Sequence, residues 1–410
     1  MARELCKFTS VSKIFRRTCR VKKCLYWPQE NKLFDIPYLT QCRVVRNFSV
    51  SCISMKTSLI LGIETSCDDT GCAIVDSTGH ILGETLHSQM QVHLEHGGIV
   101  PPVARNLHSE HIDRVVQETI AKAQVDIDDI DAIATTVKPG LPLSLTVGTN
   151  YGKRLAREHN KPFIPIHHME AHALTVRMVQ KVDFPFLVLL ISGGHCLLAI
   201  AADINKFYLL GQSLDDAPGE ALDKTARRMS LRHIPELANV CGGRAVEILA
   251  SRGDPTAFTF NASLCKYRDC NFSVAGLKNT VRRHIMRQER KFGLKEGDIV
   301  PGLEDICASF QLAIARHLCH RVQRGMEFSE MKGLIPGTSK RFVVSGGVAC
   351  NSFIRQALQT ICDTFDYEFY APPPRLCTDN GIMIAWNGME KWLAGEGIAE
   401  DLDAVDIQGK

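Results

Sequence analysis

The chain has 410 residues, 45% of them hydrophobic and 23% charged, a globular composition with room for two or more domain-sized units. Its longest apolar run, 184–191, contains a proline and falls far short of the roughly 20 residues that a membrane-spanning helix needs, so no membrane insertion is expected. The net charge of +3 conceals an asymmetry, because residues 1–55 hold eleven Lys/Arg against three Asp/Glu.

That first segment is arginine-rich and has almost no acids before Glu30. Such a pattern suits a mitochondrial targeting leader. A basic tail or a nucleic-acid arm is the alternative. No apolar core of secretory length stands near Met1. The sixteen cysteines include no C-x-x-C pair, so they read as free thiols in a reducing compartment, which the mitochondrial matrix fits.

Ordered sequence begins near Ser58. Residues 58–86 read as three strands parted by a polar turn and a Thr-Gly turn. A helical period follows over 107–124, then a buried strand over 130–137. The breaker "KPGLP" precedes a helix through 144–159. "FIPIH" is a short strand, and the helix after it opens on "HHMEAH". The plan then repeats. Residues 184–201 are strand, glycine turn and strand, and 207–229 add a strand, an acidic loop and a helix. A long helix covers 303–328, and 341–361 are strand, glycine turn and helix. Strands alternating with helices indicate α/β layers. Two halves that each open with strand-turn-strand indicate two similar lobes around a cleft. The expected divisions are the leader over 1–55, a first lobe over 56–165, and a second over 166–400 whose last part packs back on the first. Residues 401–410 form a tail.

Glycine turns at 62–71, 192–194 and 345–347 bare backbone N–H groups that suit a phosphate-bearing ligand. The last also opens a helix. In the acidic loop, Asp215, Asp216, Glu220 and Asp223 point to a ribose, to a metal, or only to a helix dipole.

Three of the fifteen histidines fall within six residues. On a helix His168 and His172 stand one above the other, able to share one ion; a plain polar face is the alternative. A helical zinc peptidase has the same histidine spacing with its glutamate next to the first histidine. Here Glu170 lies two residues on, roughly 200° round the helix, which weakens that reading. Asp379, in a loop after a proline run, is the candidate oxygen donor.

The ordered motifs "LGIETSCDDTGCAIV", "GGIVPP", "PGLPLSLTVG", "PIHHMEAH", "LLISGGH", "DDAPGEALDKTAR", "FSVAGLK", "VSGGVACN" and "CTDNG" span about Leu59 to Trp386. Together they resemble the tRNA adenosine threonylcarbamoyltransferase family, once classed as O-sialoglycoprotein endopeptidases. With the basic leader, the resemblance is to the mitochondrial branch. It departs from the family pattern at Pro102, at Lys138 and before Gly242.

The resemblance implies a two-lobed actin-like, Hsp70-like and sugar-kinase-like (ASKHA) ATPase fold with a central cleft. It implies one divalent cation (iron, zinc, manganese or magnesium) on His168, His172 and Asp379. The substrate threonylcarbamoyl-adenylate would be held by Leu190, Ile191, Ser192, Gly193, Gly194, Asp223, Gly243 and Asn351. Asp68 would face the same cleft, as a proton-handling group or a structural turn carboxylate. The acceptor would be the exocyclic amine of the adenosine just 3′ of the anticodon in tRNAs reading A-starting codons, and the enzyme would act as a monomer or homodimer. A basic surface with Lys278, Arg282, Arg283, Arg287, Arg290 and Lys291 is the expected tRNA contact, against a solvated helix face. The alternatives of other function are a metallopeptidase, a sugar-kinase-like ATPase, and a non-catalytic interaction protein on the same fold.

Overall fold

The computed structural model describes residues 57–407 apart from 262, 263, 265 and 266. The leader expected over 1–55 lies outside the described residues.

β1 (Leu59–Glu64) is apolar up to its last residue and buried at all six positions. A strand apolar on both sides must be covered on both faces. It therefore lies at the centre of a five-stranded sheet ordered β3-β2-β1-β4-β5. β2 (Asp69–Asp76) and β3 (Ile81–Ser88) join it antiparallel, through tight turns. β4 (Ala132–Lys138) and β5 (Phe163–His167) join in parallel after helical crossovers.

Between β3 and β4 the chain forms α1 (Met90–Glu95) and α2 (Pro101–Ala123). The second helix starts six residues before the helical period does. Pro101 and Pro102 occupy its first turn, where a missing N–H costs nothing and the fixed φ already suits a helix. α3 (Pro142–Glu158), likewise opened by a proline, connects β4 to β5.

α4 (His168–Val179) leads into a second sheet ordered β10-β9-β6-β7-β8. β6 (Phe186–Ile191) is central and wholly buried, with β7 (Cys196–Asp203) and β8 (Lys206–Gln212) antiparallel beside it. After α5 (Pro218–Arg228), α6 (Gly242–Ala250), α7 (Ala275–Phe292) and α8 (Leu303–Met331), the chain enters β9 (Arg341–Ser345), parallel to β6. α9 (Ser352–Phe365) then crosses to β10 (Glu368–Tyr370), parallel to β9. Each sheet thus has two antiparallel neighbours on one side of its central strand and two parallel ones on the other, which is the repeat expected from the sequence. The architecture is the actin-like, sugar-kinase-like ATPase fold.

The last helix, α10 (Gly381–Ala394), returns to the first sheet and packs Ile382, Ile384, Ala385 and Met389 against Ile60, Ala73 and Ala134. The approach is very close. A Cβ at Gly62 would collide with the backbone nitrogen of Ala385, and one at Gly381 with the backbone of Cys72; only glycine leaves that space empty. Beyond α10, Leu402 and Val405 pack on the first core, and Lys153 Nζ donates to the Val405 carbonyl at 2.8 Å.

Candidate metal and nucleotide site

β5 ends at His167, whose side chain accepts the Met169 N–H at 3.2 Å and so starts α4. His168 and His172 follow one turn apart on the buried side of that helix, 5% and 1% exposed. Asp379 arrives from the loop before α10, and Asn380 beside it caps that helix by accepting the Met383 N–H at 2.9 Å. Asp379 Oδ1 lies 3.1 Å from His172 Nε2 and 3.5 Å from His168 Nε2. Donor edges around an ion with bonds of about 2.1 Å measure about 3.4 Å in a tetrahedron. Two imidazole nitrogens and a carboxylate at this spacing therefore fit a hard or borderline divalent ion. Burial opposes a charge on Asp379, but the two histidines outweigh it and hold the carboxyl well below its usual range.

Sequence reasoning missed the group behind this cluster. Glu64, the last residue of β1, is fully buried. Its Oε1 accepts the Ser66 N–H at 2.5 Å, and its Oε2 accepts the Thr136 hydroxyl at 2.5 Å. The same Oε2 lies 3.2 Å from His168 Nδ1. Burial works against ionisation of Glu64, yet the charge and hydrogen bond of His168 keep its carboxyl below the ordinary value. With an ion bound in place of the His168 charge, the Glu64 carboxylate would keep the remaining proton on Nδ1 and leave Nε2 free to ligate. The sequence signal was there: a lone acid closing an apolar strand must find donors, and "ET" meets the turn of "SCDD".

The residues expected to hold the adenylate lie in the second half of the chain, at the end of β6 and on the helices and turns that follow it. Ser192, Gly193 and Gly194 form the turn between β6 and β7. The Ser192 hydroxyl accepts from the Gly194 and His195 N–H groups at 3.3 and 3.1 Å, which shapes the turn. Gly193 is exposed, with open space where a Cβ would stand. Gly219 in the first turn of α5 touches the Ser192 backbone and donates to its carbonyl at 3.2 Å. Asp223, one turn further, accepts the Gly243 N–H at 2.7 Å. Leu190 and Ile191 are 2% and 0% exposed, so their side chains belong to the core beneath the turn. Asn351 caps α9 through the Ile354 N–H at 3.0 Å and donates its Nδ2 to Gln311 at 2.8 Å.

Asp68 lies in the turn after β1. Burial, and secondarily the charge of Asp379, push its carboxyl up. Its neighbour Asp69 is raised to about 7, mainly by burial. The other acids are structural. Asp215 accepts from the Ser273 hydroxyl and from the Val274 and Ala275 N–H groups, holding the start of α7. Asp216 pairs with Lys278 and Lys224. Glu170 pairs with Lys391 at 3.4 Å rather than serving the histidines.

The basic helix is α7. Lys278 is taken by Asp216, which removes it from the expected surface. Arg282, Arg283, Arg287, Arg290 and Lys291 are exposed, and none of the five pairs with an acid among the described residues. The acid among them, Glu289, is turned inward onto Arg228 at 2.6 Å.

The family model described as tRNA N6-adenosine threonylcarbamoyltransferase matches residues 80–386. A mouse (Mus musculus) protein named tRNA N6-adenosine threonylcarbamoyltransferase, mitochondrial, is 51% identical over 89% of this chain and 89% of its own length. The human (Homo sapiens) protein of that name is 50% identical over 86% and 85%. An Agrobacterium fabrum protein named tRNA N6-adenosine threonylcarbamoyltransferase is 42% identical over 85% and 92%. Among solved structures, HypF of T. kodakarensis is similar with a TM-score of 0.50 at 14% identity, over 83% of this chain and 48% of that one. At that identity the likeness speaks for the fold alone.

Proposed function

The chain belongs to the tRNA N6-adenosine threonylcarbamoyltransferase family, and from that premise we propose that it moves the threonylcarbamoyl group of threonylcarbamoyl-adenylate onto tRNA. It is a transferase of the mitochondrial branch. The acceptor is the N6 amine of the adenosine 3′ of the anticodon in mitochondrial tRNAs reading A-starting codons. A bond forms between that nitrogen and the carbamoyl carbon, the bond from that carbon to the phosphate oxygen breaks, and AMP leaves with those electrons.

The observation that carries this reading is the meeting of His168, His172 and Asp379, drawn from segments more than two hundred residues apart. His168, His172 and Asp379 would hold a divalent ion (iron, zinc, manganese or magnesium), which would supply Lewis-acid charge for the transfer. The mixed anhydride is already activated, so the chain's own task is mainly positioning. The turn 192–194 offers backbone contacts beneath the phosphate, with Leu190 and Ile191 supporting it from the core. Asp223, Gly243 and Asn351 border the adenosine end. Asp68 is the proton acceptor for the attacking amine.

Purified protein incubated with threonylcarbamoyl-adenylate and unmodified mitochondrial tRNA should yield threonylcarbamoyladenosine and an equal amount of AMP, read by nucleoside mass spectrometry. Sugar-stimulated ATP hydrolysis or protein cleavage, with no modified nucleoside, would replace this reading.

The tRNA lies across the exposed face of α7. Five cations on one helix, none paired with an acid among the described residues, present a phosphate-binding stripe whose affinity is salt-dependent and sequence-independent. Changing Arg282, Arg283 and Arg287 to Glu should weaken tRNA binding by at least ~10-fold and flatten its salt dependence, because each lost phosphate contact lowers the slope by roughly 0.7 to 0.9. Adenylate binding should not change. Unaltered tRNA affinity in the triple variant rejects this surface.

A further inference from the structure

The acidic loop over 213–219 touches both parts of the molecule that the proposed transfer must bring together. Its two ends lie on the adenylate turn 192–194. The Ser213 N–H donates to the carbonyl of Cys196, the first residue of β7, at 2.8 Å, and the Gly219 N–H donates to the Ser192 carbonyl at 3.2 Å. The approach at Gly219 leaves no room for a side chain, because a Cβ there would stand 2.6 Å from the Ser192 carbonyl oxygen.

The middle of the same loop holds the start of α7. Phe272 donates its N–H to the Gln212 carbonyl and accepts the Leu214 N–H, both at 2.9 Å. α7 has no cap of its own, since its N-cap residue is Val274, a buried apolar side chain. Asp215 supplies the cap from 59 residues earlier in the chain. Its Oδ1 accepts the Val274 and Ala275 N–H groups at 2.9 and 3.2 Å, and its Oδ2 accepts the Ser273 hydroxyl at 2.5 Å. A carboxylate at this place takes up N–H groups that a helix start leaves unpaired, and it complements the helix dipole. Asp216 adds an ion pair to Lys278 in the first turn of α7 and lies 3.8 Å from Lys224 of α5.

Binding and transfer respond differently to a displacement of α7. Phosphate contacts are electrostatic and sequence-independent, so tRNA affinity tolerates a shift of about 1 Å. Transfer needs the attacking amine at about 3–3.5 Å from the carbamoyl carbon, where a misplacement of about 1 Å costs up to about 100-fold.

We propose that Asp215 is a positioning residue for the transfer: it fixes α7, and the tRNA lying on it, at a set place relative to the adenylate turn. The inference rests on the transfer reading and on α7 as the tRNA face. It adds a residue that acts through the helix and not on either ligand.

The test measures tRNA affinity, adenylate affinity and kcat with both substrates saturating. Asp215 is exposed, so Asp215→Ala removes no packed volume and should leave a folded chain. It should lower kcat by at least ~10-fold while both affinities stay within ~3-fold of native. Asp215→Asn should recover most of the loss, since its amide oxygen still accepts the two N–H groups and its NH₂ can donate to the Ser273 hydroxyl. Amide exchange at Val274 and Ala275 should quicken in Asp215→Ala and not in Asp215→Asn, which reads the contact without any transfer. An unchanged kcat, a loss confined to tRNA affinity, or an Asp215→Asn as slow as Asp215→Ala would overturn the proposal. A native chain that makes no threonylcarbamoyladenosine defeats the transfer reading and this inference with it. A native chain that transfers beside an equally active Asp215→Ala defeats this inference alone.

Discussion

Asp379→Ala should abolish threonylcarbamoyl transfer, a loss of at least ~10²-fold, and leave a folded chain. The size follows from what is removed. Loss of a group that merely orients a metal ligand costs roughly 10- to 100-fold, and Asp379 is itself a donor. It also supplies the cluster's only negative charge from the second loop, since Glu64 is engaged behind His168. Folding should tolerate the change for a structural reason. The Asp379 side chain is 26% exposed and sits in a loop, so truncation opens no core cavity. His168 keeps its partners Glu64 and Ser66, and the α10 cap on Asn380 is untouched. A chelator applied to the native protein should reproduce the loss, and added metal should restore the native protein but not the variant. Metal content, thermal melting and nucleoside mass spectrometry together check this. Normal metal affinity in the variant, or full activity after chelation, would sink the three-residue site.

How much of this was readable beforehand depended on how local each feature is. β1 and β6 stood out because a strand buried on both faces needs an unbroken apolar run. The same runs exposed the repeat of the two sheets. β10, three residues long, carries no pattern that could distinguish it. His168 and His172 were legible because i,i+4 spacing encodes a shared helix face. Asp379 could be named only as a candidate oxygen donor, since a loop carboxylate has no period, and the resemblance joined it to the two histidines. Long-range pairings escaped altogether. Glu64 finds Thr136 and His168 at separations of 72 and 104 residues. Lys278 counted towards the basic surface until Asp216, 62 residues earlier, claimed it. Asp215 likewise became a helix-end acceptor for backbone N–H groups about 60 residues away. Composition states that such groups exist, but only the folded chain states with whom they pair.

Glu64→Gln should lower metal affinity by ~10- to 100-fold although the residue touches no metal. The carboxylate faces three donors: the Ser66 N–H, the Thr136 hydroxyl and His168 Nδ1. A glutamine of equal size offers one oxygen and one NH₂. The Ser66 backbone N–H cannot change sign, so the amide oxygen must turn to it. The NH₂ then faces Thr136 and His168. Threonine can rotate its hydroxyl and accept. Histidine can accept at Nδ1 only by moving its proton to Nε2, the nitrogen that points to Asp379. A protonated Nε2 has no lone pair to donate to an ion, so the variant must break a buried hydrogen bond or shift the tautomer back to bind. Thr136→Val serves as the control. It removes a bond to the same carboxylate but leaves Nδ1–H facing an anion, so its metal affinity should stay within a few-fold of native. Competition against a chelating indicator measures both variants directly, without the transfer reaction. Equal metal affinity in Glu64→Gln and the native chain would mean that Glu64 braces the turn after β1 and does not orient His168.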